Sequence, residues 1–299
     1  MLKKVSIFGV GLIGGSFALA LRNAEAVEQI AGFGRSAASL VRAKELGIID
    51  QINATPADAV SDADLVLIAA PVAQTEAILT SIKPHLQPGT VVTDAGSTKS
   101  DVVRAARKAL GDKIAQFVPG HPIAGRERNG PDAAIPDLYI GKKVVLAPLP
   151  ENPEAYVARV AQAWRDCGAV IHTLTAEEHD RVFAAVSHLP HLLAYALVDD
   201  IANKPHADLL FQYAASGFRD FTRIAGSSPE MWRDISLANQ AALLAELDAY
   251  LAQLTRLRGM LAAGDGGALE GVYANAQRAR QSWIRTIETA EKPNKLGGD

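Results

Sequence analysis

A histidine placed between turn residues is the clearest candidate for chemistry in this 299-residue chain. His121 lies between Gly120 and Pro122, just after the apolar run at residues 114–118. An imidazole at the end of a strand can exchange a proton near neutral pH, so the segment predicts a general base. A turn histidine on its own is more often structural, and the rest of the chain has to decide between the two interpretations.

A serine follows another predicted strand. Ser97 comes three residues after the apolar, β-branched run at residues 90–94. Ligands bind at the carboxyl ends of the strands of a parallel sheet. Because Ser97 and His121 follow neighbouring strands, the sequence predicts that they share one cleft.

Two more histidines, His188 and His191, are three residues apart and would lie near one face of a helix. Three interpretations stay open: metal ligands, core or capping residues, and a substrate site. No HExxH pattern or cysteine pair supplies a third metal ligand, since Cys167 is the single cysteine. We therefore predict no metal and favour a substrate site.

A charged and aromatic segment at residues 217–225 contains Arg219, Asp220 and Arg223. An arginine beside an aspartate suits the bidentate capture of a carboxylate. A solvated charged face is the alternative interpretation.

The N-terminal segment is typical of a dinucleotide-binding turn. An apolar strand at residues 5–8 is followed by a Gly-x-Gly-x-x-Gly pattern and a helical run at residues 16–22. Such glycines allow a tight turn and a close approach of the backbone to a pyrophosphate, which the helix N-terminus then binds. The predicted cofactor-binding residues here are Gly9, Gly11, Leu12, Ile13 and Gly14.

The end of the next strand bears on the choice of cofactor. An NAD-selective site usually has an acidic residue here, whereas this chain has Gly34, followed by Arg35 and Ser36. Nothing in this segment repels a 2′-phosphate and Arg35 could pair with one, so we predict NADP to be used at least as well as NAD. A solvent-facing Arg35 is the alternative. Ala70 and Pro71, at a further strand end, are also predicted to contact the cofactor.

Strands alternate with helices in the first half, and this order predicts an α/β Rossmann-type, doubly wound parallel sheet. The runs at residues 143–147 and 169–173 are expected to extend that sheet. From Thr175, a predicted helix N-cap with Glu178 three positions later, helical patterns dominate. We predict a nucleotide-binding domain at residues 1–174, an all-α substrate and dimerisation domain at residues 175–291, and a flexible tail at residues 292–299.

Composition narrows the class of protein. A net charge of −3 without a basic block argues against nucleic acid as the main partner. Glycines interrupt the N-terminal apolar run, which is therefore not a signal peptide, and no apolar stretch is expected to reach membrane-spanning length. These features, with the single cysteine, predict a cytoplasmic protein with no membrane partner.

Taken in order from about residue 4 to residue 260, these segments resemble the prephenate/arogenate (cyclohexadienyl) dehydrogenase family of tyrosine biosynthesis. The segments that carry the resemblance are the glycine-rich turn and residues 94–99, 120–125, 187–191, 220–225 and 229–235, with Asn239. The turn is unspecific, but the other segments in this order are highly specific.

The resemblance implies oxidative decarboxylation: a hydride passes from C4 of the substrate ring to NAD(P), the ring carboxylate leaves as CO2, and the ring becomes aromatic. His121 would accept the proton of the C4 hydroxyl, and Ser97 would hydrogen-bond His121 or that hydroxyl. The implied substrate-binding residues are Arg223 for the ring carboxylate, Asp220 and Glu127 as its supports, and His188 and His191 on the substrate side.

One departure from the family pattern concerns Arg126, where many relatives carry a small residue. A cation there would favour prephenate over arogenate, which has an added ammonium group. Alternatively, Arg126 points to solvent or pairs with Glu127. Two rival functions are another Rossmann-plus-helical dehydrogenase, which would rely on a catalytic lysine or a tyrosine-rich pocket, and a non-catalytic NADP-binding regulator.

Overall fold

A computed structural model of the chain describes residues 1–126 and 128–291. Its contacts divide the chain into two compact units, residues 1–243 and 244–299. The predicted division after residue 174 falls inside the first unit and stays a prediction. The predicted tail at residues 292–299 lies outside the described residues.

A six-stranded parallel sheet forms the centre of the first unit, in the order β3-β2-β1-β4-β5-β6. Its central strands are buried on both faces and are rich in Val, Ile and Leu, as expected when helices cover both sides. The predicted doubly wound sheet is thereby confirmed. The strands are β1 (Leu2–Phe8), β2 (Val27–Phe33), β3 (Gln51–Ile52), β4 (Leu65–Ile68), β5 (Val91–Asp94) and β6 (Phe117–Val118).

Helices on the two faces complete two apolar clusters, one around Val5, Ile7 and Phe17 and the other around Phe8 and Val66. Alternate residues of β1 thus point to opposite faces of the sheet. The helices are α1 (Leu12–Asn23), α2 (Ala37–Glu45), α3 (Pro56–Val60), α4 (Thr75–Ile82), α5 (Ser100–Leu110) and α6 (Glu154–Asp166).

The predicted extension of this sheet is wrong. The two later strands, β8 (Lys143–Leu146) and β9 (Val170–Thr173), pair instead with β7 (Gly120–Pro122) in a three-stranded sheet. The chain changes partner at Pro119, which has no N–H to continue the parallel ladder. The carboxylate of Asp94, rather than a strand, then accepts the N–H of Gly120 at 3.0 Å. As a result, His121 belongs to the three-stranded sheet, where it pairs with Val145 of β8, and not to the parallel sheet that ends at β6.

Helices follow from residue 176. Thr175 and Glu178 form the predicted capping box at the start of α7 (Ala176–Phe183). A π-helical turn (Ala184–His188) joins α7 to α8 (Leu189–Ala202). The remaining helices are α9 (Ala207–Gln212), α10 (Ser216–Thr222), α11 (Pro229–Ala238), α12 (Gln240–Ala262) and α13 (Gly266–Glu291).

One continuous helical stretch, Ala176–Ala202, is long and apolar enough to cross a membrane by length and composition alone. The sequence expectation that no stretch reaches this length therefore fails on those two criteria. A core helix of a soluble protein passes the same test. This stretch carries the buried pair His179 and Asp180, whose hydrogen bonds are to protein groups described below.

Candidate active site

The glycine-rich turn has the backbone geometry that the sequence predicts. Gly9 has φ +98°, and a Cβ there would lie 2.6 Å from the carbonyl oxygen of Ala69. At Gly14 a Cβ would lie 2.3 Å from the carbonyl oxygen of Gly9, so both positions require glycine. Gly11 differs, because a Cβ there would meet no atom within 4 Å. The open space above Gly11 is where a pyrophosphate would approach the N-terminus of α1, which has no side-chain cap.

A cavity of about 330 Å³ lies beside this turn. Its wall includes seven of the predicted cofactor-binding residues: Gly9, Gly11, Gly34, Arg35, Ser36, Ala70 and Pro71. Arg35 is exposed, and the hydroxyl of Ser36 accepts the N–H of Ser39 at 3.2 Å as the N-cap of α2. An arginine and the start of a helix are thus the polar features at the end of β2.

A second cavity, of about 290 Å³, continues past Ala70 and Pro71 toward Ser97. Ile13 lines it on one side, and residues of α11, among them Asp234, line it on another. The other two predicted residues, Leu12 and Gly14, are buried under the turn and line neither cavity. The two cavities form a path from the Arg35 end of the sheet to Ser97, as an extended dinucleotide requires.

His121, on β7, is held by residues of helix α7. Its Nδ1 atom lies 2.8 Å from Nε2 of His179, and Nδ1 of His179 lies 2.9 Å from Oδ1 of Asp180. His121 is partly exposed, whereas His179 and Asp180 are almost fully buried. Burial, together with His179 and Lys99, lowers the pKa of His121 well below its ordinary value, so the ring is neutral at neutral pH.

Asp180 is fixed by main-chain donors. Its two oxygens accept the N–H groups of Lys99 and Ser100, each at 2.8 Å. Burial raises the pKa of Asp180, but hydrogen bonds from His179, Ser100 and Lys99 outweigh burial and bring it to about 2. Asp180 is therefore ionised and joins α7 to the first turn of α5.

The loop between β5 and α5 is fixed by a buried ion pair. Lys99 Nζ contacts Asp94 Oδ2, and both side chains are almost completely inaccessible. Asp94 also accepts the N–H groups of Gly96 at 2.8 Å and Gly120 at 3.0 Å. One carboxylate thus ties the Ser97 loop to the strand that carries His121.

His188 and His191 are both helical, but they have different surroundings. His188, at the end of the π-helical turn, is buried, and the amide of Asn239 donates to its Nδ1 at 3.1 Å. Burial lowers the pKa of His188 to about 4. His191 donates to the carbonyl oxygen of Ser187 at 2.8 Å and stacks on Trp232, with ring centroids 3.5 Å apart. His188 is thus enclosed by protein, whereas His191 is half-buried.

The predicted arginine site lies on and after α10. Arg223 is exposed and close enough to His191 to lower its pKa, after the larger effect of burial. Asp220 is exposed, and its carboxylate lies 3.9 Å from Nε of Arg219. Arg126 is exposed in the loop after β7. Glu127, the predicted support of Arg223, lies outside the described residues.

The structure brings the Ser97 loop next to the strand that carries His121, and the ring of His121 is hydrogen-bonded to His179. Sequence reasoning missed His179 and Asp180, which had been assigned only to the start of a helix. What marks these two residues is their burial, which the structure shows and the sequence pattern does not. Their partners, 58 and 81 residues earlier in the chain, could be found only from the fold.

A nucleotide-binding α/β domain whose strand ends lead to a serine and a neutral histidine defines a dinucleotide-dependent dehydrogenase. Comparisons with known proteins identify the kind. Residues 17–173 match the nucleotide-binding domain of prephenate dehydrogenase, and residues 175–274 match its dimerization domain. The chain belongs to the prephenate dehydrogenase family of NAD(P)-dependent oxidoreductases, as its sequence segments predict.

Individual relatives agree with this assignment. A cyclohexadienyl dehydrogenase from Zymomonas mobilis is 36% identical over 93% of this chain and 95% of its own length. Among solved structures, a prephenate dehydrogenase from A. aeolicus in complex with hydroxyphenyl propionate and NAD+ has a TM-score of 0.85, at 35% identity over 97% of this chain and 99% of that one. An arogenate dehydrogenase from Synechocystis has a TM-score of 0.78, at 28% identity over 94% of this chain and 99% of that one.

Proposed function

We propose that this chain converts prephenate to 4-hydroxyphenylpyruvate by oxidative decarboxylation, with NAD(P) as hydride acceptor, in tyrosine biosynthesis. The observation that carries the proposal is a neutral, partly exposed His121 held beside the Ser97 loop, where the dinucleotide path ends. A hydroxyl that loses a proton as its carbon loses a hydride needs such an acceptor.

The residues present fit a dinucleotide. Gly9 and Gly14 shape the turn, Gly11 leaves space for a pyrophosphate, and Ala70 and Pro71 line both cavities. When bound, the nicotinamide supplies the hydride acceptor. Every other requirement of the reaction falls to the side chains of the protein.

The roles of these side chains follow from their placement. Ser97 lines the second cavity and is proposed to hydrogen-bond the substrate hydroxyl. Arg223 is proposed to bind the ring carboxylate, beside His191 on the substrate side and with support from Asp220 and Glu127. Since the carboxylate departs as neutral CO2, tight binding of its charge helps affinity more than turnover.

We infer that NADP is used at least as well as NAD. Arg35 is exposed at the wall of the first cavity, and no acidic side chain lines that cavity among the described residues. A guanidinium at this position can pair with a 2′-phosphate, and an acidic residue that would repel one is missing from the cavity wall.

We propose prephenate as the main substrate and arogenate as a secondary one. Arg126 follows the His121 strand in an exposed loop, and a cation there disfavours the added ammonium of arogenate. We also propose a cytoplasmic homodimer, supported by the match of residues 175–274 to a dimerization domain. Light scattering of the purified chain should give twice the mass of one chain.

The test is the rate of reduced-cofactor formation at 340 nm with prephenate and arogenate, each with NADP and with NAD. Turnover of prephenate with either cofactor supports the proposed reaction, and the four rates decide the inferences on Arg35 and Arg126. Folded protein that binds NADP but turns over neither substrate would contradict it.

A further inference from the structure

Three buried or half-buried side chains, those of His121, His179 and Asp180, form a hydrogen-bonded line. The atoms in order are Nδ1 of His121, Nε2 and Nδ1 of His179, and Oδ1 of Asp180, separated by 2.8 and 2.9 Å. His179 also lies against Phe183, with ring centroids 4.4 Å apart, and Phe183 contacts the ring of His121 as well. The aromatic contacts restrict the rotation of both imidazoles.

The donors and acceptors along this line can be assigned from its far end. The oxygens of Asp180 accept the N–H groups of Lys99 and Ser100, which can only donate, so the carboxylate is an acceptor throughout. Nδ1 of His179 must therefore carry a hydrogen. Burial lowers the pKa of His179, so its ring is neutral and Nε2 has no hydrogen. It follows that Nδ1 of His121 donates and that Nε2 of His121 holds the free electron pair.

We propose that His179 and Asp180 are positioning residues that hold His121 in the tautomer whose Nε2 can accept a proton from the substrate hydroxyl. The proposal rests on the function proposed above. In the step concerned, the O–H bond of the substrate breaks, its electron pair stays on the oxygen, and the proton forms an N–H bond at Nε2. His121 then carries a positive charge, which the ionised Asp180 stabilises through His179 without itself taking a proton.

The charges around His121 come from several elements. His179 and Asp180 on α7 and His188 in the π-helical turn lie on the helical side, and Lys99 lies on the other side, in the loop after β5. Asp94, at the end of β5, is paired with Lys99 and acts on His179. Lys99 is already paired with Asp94, so Asp180 is the anion that is joined to His121 by hydrogen bonds. The proposal therefore assigns the stabilisation of the protonated ring to Asp180.

The decisive variants change His179 alone. Asp180 is kept because it also accepts the N–H groups of Lys99 and Ser100 at the start of α5. His179→Phe keeps an aromatic ring beside Phe183 but removes both hydrogen bonds. The value of kcat for prephenate should fall about 10- to 100-fold, less than the roughly 100- to 10,000-fold that a general base contributes, because His121 itself remains. The KM values for prephenate and cofactor should change less than threefold, since neither residue binds them. His179→Gln offers an amide oxygen to Nδ1 of His121 and should recover part of the lost kcat.

A readout independent of turnover is the protonation of the His121 ring. In protein labelled with 15N-histidine, two-bond 1H–15N correlations distinguish a protonated Nδ1 from a protonated Nε2, and the signals of His121 are those missing in His121→Asn. The wild-type ring should carry its hydrogen on Nδ1. In His179→Phe that preference should be lost. Glu177→Gln, an exposed change on the same helix, is the control and should leave rates and spectrum unchanged.

The outcomes are separable. Wild-type protein without prephenate turnover would contradict the proposed function, while the ring spectrum would still decide the proposal about His179. Normal turnover with kcat within twofold of wild type in both His179 variants, or a wild-type His121 protonated on Nε2, would overturn the positioning role. If His179→Phe does not fold, the partial loss in His179→Gln and the wild-type spectrum carry the test.

Discussion

At the scale of single residues, burial keeps His121 neutral at the pH where the substrate hydroxyl has to lose its proton. We expect His121→Asn to lower kcat about 100-fold or more, because asparagine has no basic nitrogen to accept that proton. Steady-state rates at 340 nm measure the effect. His85→Asn, an exposed change outside the site, is the control. Turnover near the wild-type rate in His121→Asn would remove His121 from the mechanism.

Arg223 gives a second test at this scale, through the separation of KM from kcat. Loss of a charge-assisted hydrogen bond to the substrate carboxylate, about 1.5–3 kcal/mol, should raise KM for prephenate about 10- to 100-fold in Arg223→Ala. The fall in kcat should be much smaller, because the carboxylate loses its charge during the reaction. Arg165→Ala, which changes an exposed arginine of α6 outside the site, is the control. An unchanged KM in Arg223→Ala would contradict the proposed role.

Residue type and local spacing were enough to single out His121 and Ser97, because each follows an apolar run that ends in turn residues. They were not enough for the partner of His121. The family resemblance implied that Ser97 bonds either His121 or the substrate hydroxyl, and it said nothing of His179, which faces His121 because β7 leaves the parallel sheet at Pro119 and lies against α7. A hydrogen bond between residues 58 positions apart depends on the packing of two elements, which the sequence pattern does not specify.

At the scale of secondary-structure elements, the pair of Lys99 and Asp94 holds the Ser97 loop and the His121 strand together. Lys99→Met leaves a buried carboxylate without its cation, and we expect a loss of about 3–5 kcal/mol in the free energy of unfolding. Urea denaturation measures it. Lys108→Met removes a cation from an exposed pair with Glu76 and should cost less than about 1 kcal/mol. Equal effects of the two substitutions would show that the buried pair has no special role in stability.

Gly11 and Gly14, at the start of α1, have different roles. Gly14 avoids a steric clash within the fold, whereas Gly11 leaves space for the cofactor. In Gly14→Ala the new methyl group meets the backbone of Gly9, so the melting temperature should fall by several degrees. In Gly11→Ala the methyl group enters open space, so the fold should keep its stability while the Kd for NADP rises about tenfold or more. Thermal unfolding and fluorescence titration check both variants. If both affected stability alone, the assignment of the pyrophosphate to this turn would be wrong.

The elements themselves were largely predictable, because strands buried on both faces form short continuous apolar runs and amphipathic helices have a period of about 3.6 residues. The capping box at Thr175 is a local pattern of this kind. The prediction failed at β8 and β9, whose apolar and β-branched residues suit a strand of either sheet. Their separate sheet with β7 follows from the missing N–H of Pro119 and from Asp94, a side chain that takes the place of a neighbouring strand.

At the scale of the whole molecule, several buried titratable groups lie where the α/β part meets the first helices of the helical part. His121, His179 and His188 all have lowered pKa values there, with burial as the largest cause, and Asp180 is ionised beside them. Because this site holds its histidines neutral in the folded state, the free energy of unfolding depends on pH and should fall as the pH falls.

For a histidine whose folded-state pKa is lowered, the unfolded chain binds more protons than the folded one as pH falls below about 6.5. Stability is therefore full above that pH and declines until the pH reaches the folded pKa, about 4 for His188. His188 alone accounts for about 3 kcal/mol of this loss, at 1.36 kcal/mol per unit. Asp180, with a pKa of about 2, contributes only below its ordinary value of 3.8, outside this window.

Urea midpoints at one protein concentration should therefore fall between pH 7.5 and pH 4.5, with most of the change below pH 6.5. His188→Gln cannot take up a proton in the unfolded chain, so its midpoint should depend less on pH, even though the variant is less stable at pH 7.5. His85→Asn, which changes an exposed histidine, should keep the wild-type slope. A wild-type midpoint that stayed constant from pH 7.5 to pH 4.5 would mean that the buried histidines are not neutral in the folded protein. His121 could then not act as the proton acceptor.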